Sequence, residues 1–402
     1  MALSSPIPLL PLMSSPAPAG GLDPERALAS GRWVKWIGGA SNQDLAAIED
    51  LAGIYSLAGV HCLDLAADPA VVAAARRGIA WAEARGGARP WVMLSLSDGA
   101  DPHFRKAWFD PAHCPAACPR PCERVCPALA IPPLAIEPLA MGLLEPVPGS
   151  ASRPAAAPDR SACGVLAERC YGCGRCLPAC PLGLIEERDQ LLPAAAVPPL
   201  LAALRPDAIE LHTRIGRAGA FAARLEQLRA AGIPLRRLAV SCGLELDGPP
   251  PPPAAAAAGE ALRPEALAER LVEELWNRFA QLRGAGFAPL WQLDGRPMRG
   301  DLGAGTARAA VQLWRRIGPR LPPGPVQLAG GTNDRTLPLL QTLPPGAAVA
   351  GVAFGSVARA RLQPLLLQAQ QRGGRLLDQA DLLPEAAAIA AALVQPWLRR
   401  RR

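Results

Sequence analysis

Eight short apolar runs, most followed by an alanine-rich stretch of helical pattern, constrain this chain more than any other feature. The runs are RWVKWIGG (32–39), VHCLDLAA (60–67), WVMLSLSD (91–98), DAIELHT (207–213), RRLAVSCG (236–243), PLWQLDG (289–295), PVQLAGG (325–331) and VAGVAFG (349–355). QDLAAIEDLAGIYSLAG (43–59) and PAVVAAARRGIAWAEARG (69–86) exemplify the helical stretches between them. Short β-branched or apolar runs that alternate with helical stretches suit the strands of an α/β fold. Eight strand–helix repeats make the count of a (β/α)8 TIM-barrel-like domain, and 402 residues give it room. A doubly wound open α/β sheet plus a ferredoxin domain is the alternative the same pattern allows.

The alternation breaks after the third run. Residues 99–190 hold nine of the eleven cysteines, between the third strand and its helix. This predicts a ferredoxin-like, cysteine-rich insertion in a βα loop, over the C-terminal face where barrels place their sites. The organisation read from the sequence is a disordered tail over 1–30, a first part of the barrel over 31–98 and the Fe–S insertion over 99–190. The second part of the barrel spans 191–372, with a Pro/Ala linker at 246–260, and a C-terminal helix with a basic tail fills 373–402.

Cys170, Cys173, Cys176 and Cys180 stand in the spacing C-x2-C-x2-C-x3-C-P, closed by Pro181. That is the bacterial ferredoxin run for a [4Fe–4S] cluster. Three thiolates on a tight loop eased by Gly172 and Gly174 grip three irons of one cube; the fourth is directed away, often to a second cube. Zinc sites more often use separated C-x2-C pairs. Upstream, Cys114, Cys118, Cys122 and Cys126 are spaced C-x3-C-x3-C-x3-C-P with Pro127 in the same place. In a two-cluster arrangement Cys126 joins the downstream three and Cys180 the upstream three. The wider spacing leaves the second cluster open between [4Fe–4S] and [3Fe–4S], and zinc-bound or structural thiols are its alternative. Cys163 reads as a spare thiol, Cys62 as a core residue and Cys242 as a buried thiol at the end of the fifth strand.

Loops after the seventh and eighth strands of a barrel commonly bind phosphate through backbone N–H groups. LAGGTND and AFGSVAR fall in those places, so Gly330, Gly331, Thr332, Gly355, Ser356 and Arg359 are the expected residues of a site for a flavin or another phosphorylated ligand. Period-two alternation also sets Lys35, Asp64, Glu210, His212 and Asp294 on shared faces, and charges inside a barrel must pair. The glycine-rich loop 293–306 is expected to close over a ligand. The segment 101–114, with two histidines and two basic residues beside the first cluster cysteine, is expected to fix or tune the cluster. No Ser-His-Asp set or paired-carboxylate constellation is evident, so no catalytic residue is assigned.

The formal net charge is +7, but the basic residues are scattered. The one dense run, WLRRRR at the C-terminus, reads as a solvated tail. Without interleaved aromatics it gives no support to nucleic-acid binding. No apolar stretch is long enough and free enough of charge and proline to span a membrane. The proline-broken N-terminus lacks the basic start of a signal peptide. The expectation is a cytoplasmic protein with reduced thiols, and clustered reduced thiols point to metal.

DPHFRKAWFDPAHCP, CPRPCERVCP, ERCYGCGRCLPACPLGLI, LDGRPMRGD, VQLAGGTND and VAFGSVAR together resemble the light-dependent period (LdpA) proteins of cyanobacteria, from about Gly31 to about Arg372. The resemblance implies an iron–sulfur protein that senses cellular redox state, linked to light through photosynthetic electron transport. It further implies that this state passes to the circadian clock, with clock input proteins as partners and no established catalytic residues. A redox-sensing regulator is therefore one reading, with a quinone or ferredoxin as redox partner. The other is an oxidoreductase whose clusters feed electrons to a flavin or phosphorylated ligand at the barrel mouth.

Overall fold

The computed structural model describes residues 22–39, 44–115, 117–132, 164–248, 263–296, 305–343 and 348–400. Among these residues ten strands run in chain order: β1 (Trp33–Gly39), β2 (Cys62–Ala66), β3 (Trp91–Ser97), β4 (Arg105–Trp108), β5 (Glu186–Asp189), β6 (Ala208–His212), β7 (Arg237–Cys242), β8 (Pro289–Asp294), β9 (Val326–Ala329) and β10 (Gly351–Phe354). Eight of them close into a parallel barrel in the order β1-β10-β9-β8-β7-β6-β3-β2. The seam is β1 on β10, in register from Trp33↔Gly351 to Trp36↔Phe354. An open sheet has no such pair, so the doubly wound alternative is excluded. The eight barrel strands overlap the eight apolar runs one for one.

Among the described residues twelve α-helices accompany them: α1 (Pro24–Ser30), α2 (Leu45–Ala58), α3 (Pro69–Glu83), α4 (Pro121–Arg124), α5 (Cys176–Ala179), α6 (Val197–Leu204), α7 (Ala218–Ala230), α8 (Pro264–Gly284), α9 (Ala307–Ile317), α10 (Thr336–Gln341), α11 (Ser356–Gln371) and α12 (Leu383–Leu398). Local chemistry starts several of them. Asp44 caps α2 by accepting from Ala46 N–H, and Asp68 caps α3 ahead of a proline in its first turn.

Each barrel strand serves two faces. Val34, Trp36, Leu63, Leu65, Val92, Leu94, Ile209, Leu211, Val240, Leu293, Leu328 and Val352 point outward into one apolar layer shared with the helices. Trp33, Cys62, Met93, Ala208, Ala239 and Leu290 point inward and fill the bottom of the barrel as a separate cluster. Cys62 is a fully buried member of that cluster.

Two expectations about the chain's ends need correction. The stretch 1–30 was expected to be a tail, yet residues 24–30 form α1, whose Ala27 and Leu28 join the inward cluster and plug the barrel from below. Asp23 caps this helix by accepting from Glu25 and Arg26, and Gly31 ends it in the left-handed conformation. Residues 1–21 lie outside the described residues. The basic terminus was expected to be solvated, but the Arg400 Nη1 donates to Gly31 O at 3.2 Å and Val349 O at 3.0 Å, and its own carbonyl accepts from Arg32 Nε at 3.0 Å. The reason is that the barrel bottom leaves backbone carbonyls without strand partners, and a guanidinium satisfies several at once.

The insertion leaves after β3 and returns before α6. Its neck is the antiparallel ribbon β4–β5, paired from Arg105↔Asp189 to Trp108↔Glu186. Most of the Pro/Ala linker, most of the 293–306 loop, and Cys163 lie outside the described residues. Among the described residues no helix is long and apolar enough to cross a membrane.

Candidate functional site

Above the neck, the cysteines form a small core of their own. Cys122, Cys170 and Cys176 are buried with Phe109, Val165, Ile131 and Ile185, and Cys114, Cys126 and Cys180 pack against them. Every described cysteine is a free thiol. The downstream run bends as its glycines allow: Gly172 and Gly174 have φ of 74° and 73°, where a side chain would be strained.

Cys126 lines the same apolar pocket as Cys170, Cys173 and Cys176, together with Ala107, Ala130, Ile131 and Val165. Burial, and then the neighbouring Cys170, Cys173 and Cys126, push the Cys176 thiol up to about 12. The other set has its own stranger. Burial raises Cys114 and Cys122 against the pull of Arg120, and Cys180 adds to the rise in both. Cys180 itself moves the other way. Its burial is outweighed by backbone N–H groups of Leu184, Leu182, Ile185 and Gly183 directed at the sulfur. Ala130 N–H likewise donates to Cys126 Sγ at 3.2 Å.

The structure thus gathers Cys126 with Cys170, Cys173 and Cys176 in one pocket, and brings Cys180 to Cys114 and Cys122, with Cys118 beside Cys114. The donors fit an iron–sulfur cube: four sulfurs per site, an apolar wall, and amide hydrogens aimed at sulfur.

The second site is the barrel mouth, a cavity of about 810 Å³. All six expected phosphate-loop residues line it: Gly330, Gly331, Thr332, Gly355, Ser356 and Arg359. Gly330 and Gly331 have φ of 64° and 93°, which turn the chain sharply at the end of β9. Ser356 begins α11, so the positive end of a sixteen-residue helix faces the cavity. Two of the six spend polar groups on the scaffold. Thr332 Oγ1 donates to Ala353 O at 2.5 Å, and Arg359 Nη1 donates to Ile37 O at 3.0 Å and Gly38 O at 2.9 Å.

Below the mouth runs a continuous polar network. Lys35, fully buried, donates to Asp64 Oδ2 at 2.8 Å and to Glu210. Burial works against its charge, but Asp64 and Glu210 overcome that and hold the ammonium well above its usual range. Asp64 also accepts from Ser95 Oγ at 2.7 Å. Gln292 Nε2 donates to Glu210 Oε1 at 2.8 Å, to Ser241 Oγ at 3.0 Å and to Asp294 Oδ1 at 3.2 Å. Gln327 Nε2 donates to Gln292 Oε1 at 2.8 Å and its own oxygen accepts from Trp33 Nε1 at 2.6 Å. Burial, and then the Glu210 charge, push Asp294 up to about 6. Lys35, Asp64, Glu210, His212 and Asp294, noticed in the sequence as same-face charges, are therefore one connected set.

One placement differs from expectation. His103 does not serve the cluster; it lines the barrel mouth with Asp101 and His212. The β3 chain end carries the 101–103 turn back over the barrel before β4 departs, whereas His113 is exposed beside the cysteines. The sequence reading also passed over Gln292, Gln327, Ser95 and Ser241. Their signal was present: a polar residue at an inward position of a buried strand.

Fold and cysteine geometry define the class: a (β/α)8 barrel with an Fe–S cluster-binding insertion after its third strand. The profile of the LdpA Fe-S cluster-binding domain matches residues 114–191, and that of the Light dependent period A C-terminal domain matches residues 200–396. Light dependent period A of Synechococcus elongatus is 42% identical over 379 residues, 93% of this chain and 93% of that protein. This chain belongs to the light dependent period A family. Solved structures that align with it include a Mycobacterium tuberculosis tryptophan synthase, 12% identical, with a TM-score of 0.38 and covering 94% of this chain and 96% of that one. Another is a truncated 3-deoxy-D-arabino-heptulosonate 7-phosphate synthase from Thermotoga maritima, 10% identical, with a TM-score of 0.37 and covering 85% and 88%.

Proposed function

We propose that this protein is a cytoplasmic redox-sensing regulator that holds two iron–sulfur clusters and relays the light-dependent redox state of the cell to the circadian clock. One cluster is held by Cys170, Cys173 and Cys176 with Cys126, the other by Cys114, Cys118 and Cys122 with Cys180. The observation that carries this is the seating of Cys126 in the pocket of the downstream three. Bound there, the clusters supply a change of charge with electron supply, from a quinone or a ferredoxin. Two neck-bound segments surround them, so such a change falls on a small unit that projects from the barrel. Clock input proteins are the partners that would read it, in keeping with family membership.

Anaerobic purification with iron and sulfide analysis, and EPR spectra of the oxidised and reduced protein, test the proposal. About eight irons and eight sulfides per chain are expected for two four-iron clusters. Zinc without sulfide sinks it.

A second reading is supported by the barrel mouth, whose glycine turns and helix end suit a phosphorylated ligand such as flavin. There the clusters would pass electrons to that ligand, and the protein would be an oxidoreductase. A flavin that co-purifies, or substrate-dependent reduction of the clusters, decides for this reading and against the pure sensor.

A further inference from the structure

We infer that Asp101, His103 and His212 form a divalent-metal site at the barrel mouth, separate from the cysteine clusters. One donor atom from each residue lies within 4.8 Å of the other two. His212 comes from the end of β6, and the other two come from the turn after β3, so two elements of the scaffold converge on one point. Asp101 is the centre of the group. Its Oδ1 lies 2.5 Å from His103 Nδ1, and its Oδ2 lies 3.5 Å from His212 Nδ1. His103 N–H also donates to Asp101 Oδ1 at 2.8 Å, which fixes the turn.

The far side of His212 is what favours a metal over a simple polar cluster. Its Nε2 faces Glu210 Oε1 at 3.2 Å. Glu210 is itself held by Lys35 and by Gln292. Glu210 accepts Nε2–H, and a metal would take the place of the proton that His212 Nδ1 shares with Asp101 Oδ2. Carboxylate–histidine–metal relays are built this way, with the outer carboxylate setting tautomer and ring angle. Phe104 packs edge-on against the His212 ring at 5.3 Å and braces it further.

Two imidazoles and one carboxylate are the donor set of borderline divalent metals such as zinc and ferrous iron. All three residues line the same cavity, into which the remaining coordination positions would open. A metal with open positions is the arrangement of a reactive or ligand-binding site rather than a structural one. An oxyanion resting on the Gly330–Gly331 turn across the same cavity is the class of ligand such a metal would share.

The test uses the anaerobic, cluster-loaded protein dialysed against zinc alone, with iron and zinc counted per chain and zinc affinity measured by calorimetry. Uptake of one zinc without loss of iron is expected. His103→Gln sits on a partly exposed turn and should keep the fold and the iron content, yet weaken zinc binding by about 10- to 100-fold or more, as should Asp101→Asn. Glu210→Gln should weaken it about 10- to 100-fold through His212. No zinc uptake by the cluster-loaded wild type overturns the inference. So does uptake unchanged in both His103→Gln and Asp101→Asn, or uptake that displaces iron. In those cases the three residues are held together by protons alone.

Discussion

Cys126 and Cys176 line one apolar pocket although they belong to different cysteine runs. Each run closes with Cys-Pro, and that closing cysteine turns toward the opposite set.

The crossing makes the iron content of double variants diagnostic. Cys126→Ala and Cys173→Ala should each lose about four irons, and the pair together no more than either alone. Combining Cys173→Ala with Cys180→Ala should empty both sites. Cys62→Ala, in the barrel floor, should retain full iron. Iron and sulfide counts per chain check all five variants, and an additive Cys126/Cys173 pair would break the assignment.

Lys35 stands between Asp64 and Glu210 with no access to solvent. Lys35→Met removes the charge that makes both carboxylates tolerable, so it should destabilise the protein by about 3–5 kcal/mol. Replacing Lys35, Asp64 and Glu210 together with apolar residues of similar volume should recover much of that loss. Urea unfolding midpoints of the single and triple variants measure the difference. Equal destabilisation in both would show that shape rather than charge matters here.

The pH dependence of stability has an identifiable contributor in His61. Its Nδ1 accepts from Val34 N–H at 3.1 Å and its ring stacks on Trp33. Burial pushes the imidazole down to about 4. The unfolded chain, with the ordinary value of 6.5, therefore binds a proton that the folded chain refuses between those limits. Stability from this residue is present above pH 6.5 and is lost as pH falls toward 4, by about 3 kcal/mol. His61→Gln should flatten the curve over that interval. Comparing variant and wild type at each pH cancels any acid lability common to both.

α1 contributes Leu28 to the floor of the barrel, buried with Trp33, Trp91 and Met93. Leu28→Ala should cost about 2–5 kcal/mol, as for other fully buried leucines. A change under half a kcal/mol, measured by thermal or urea unfolding, would mean that the plug is dispensable.

Much of this was legible in the chain. Short, largely apolar runs between helical stretches read as barrel strands, so WVMLSLSD and VAGVAFG announced themselves. Lys35 and Glu210 stood out because a charge inside such a run must have a partner. α1 was missed because a short helix beside a proline-rich stretch has little periodicity to show. Its caps were there to be read in Asp23, Pro24 and Gly31. The segment 101–114 was read as one unit serving the cluster because it adjoins Cys114, whereas only the three-dimensional path shows its His103 end turning back to the barrel mouth. Arg400 was missed for a related reason: nothing local says which carbonyls a distant barrel end leaves unpaired.

That Arg400 contact has a consequence for how the chain could be cut and rejoined. Gly31, where the barrel begins, touches Arg400, just past the last helix, so the path from one to the other is a ring in space. Such a ring has no obligatory starting point. A circular permutant that links the helix end to α1 and opens within the Pro/Ala stretch should keep every strand beside its present neighbours.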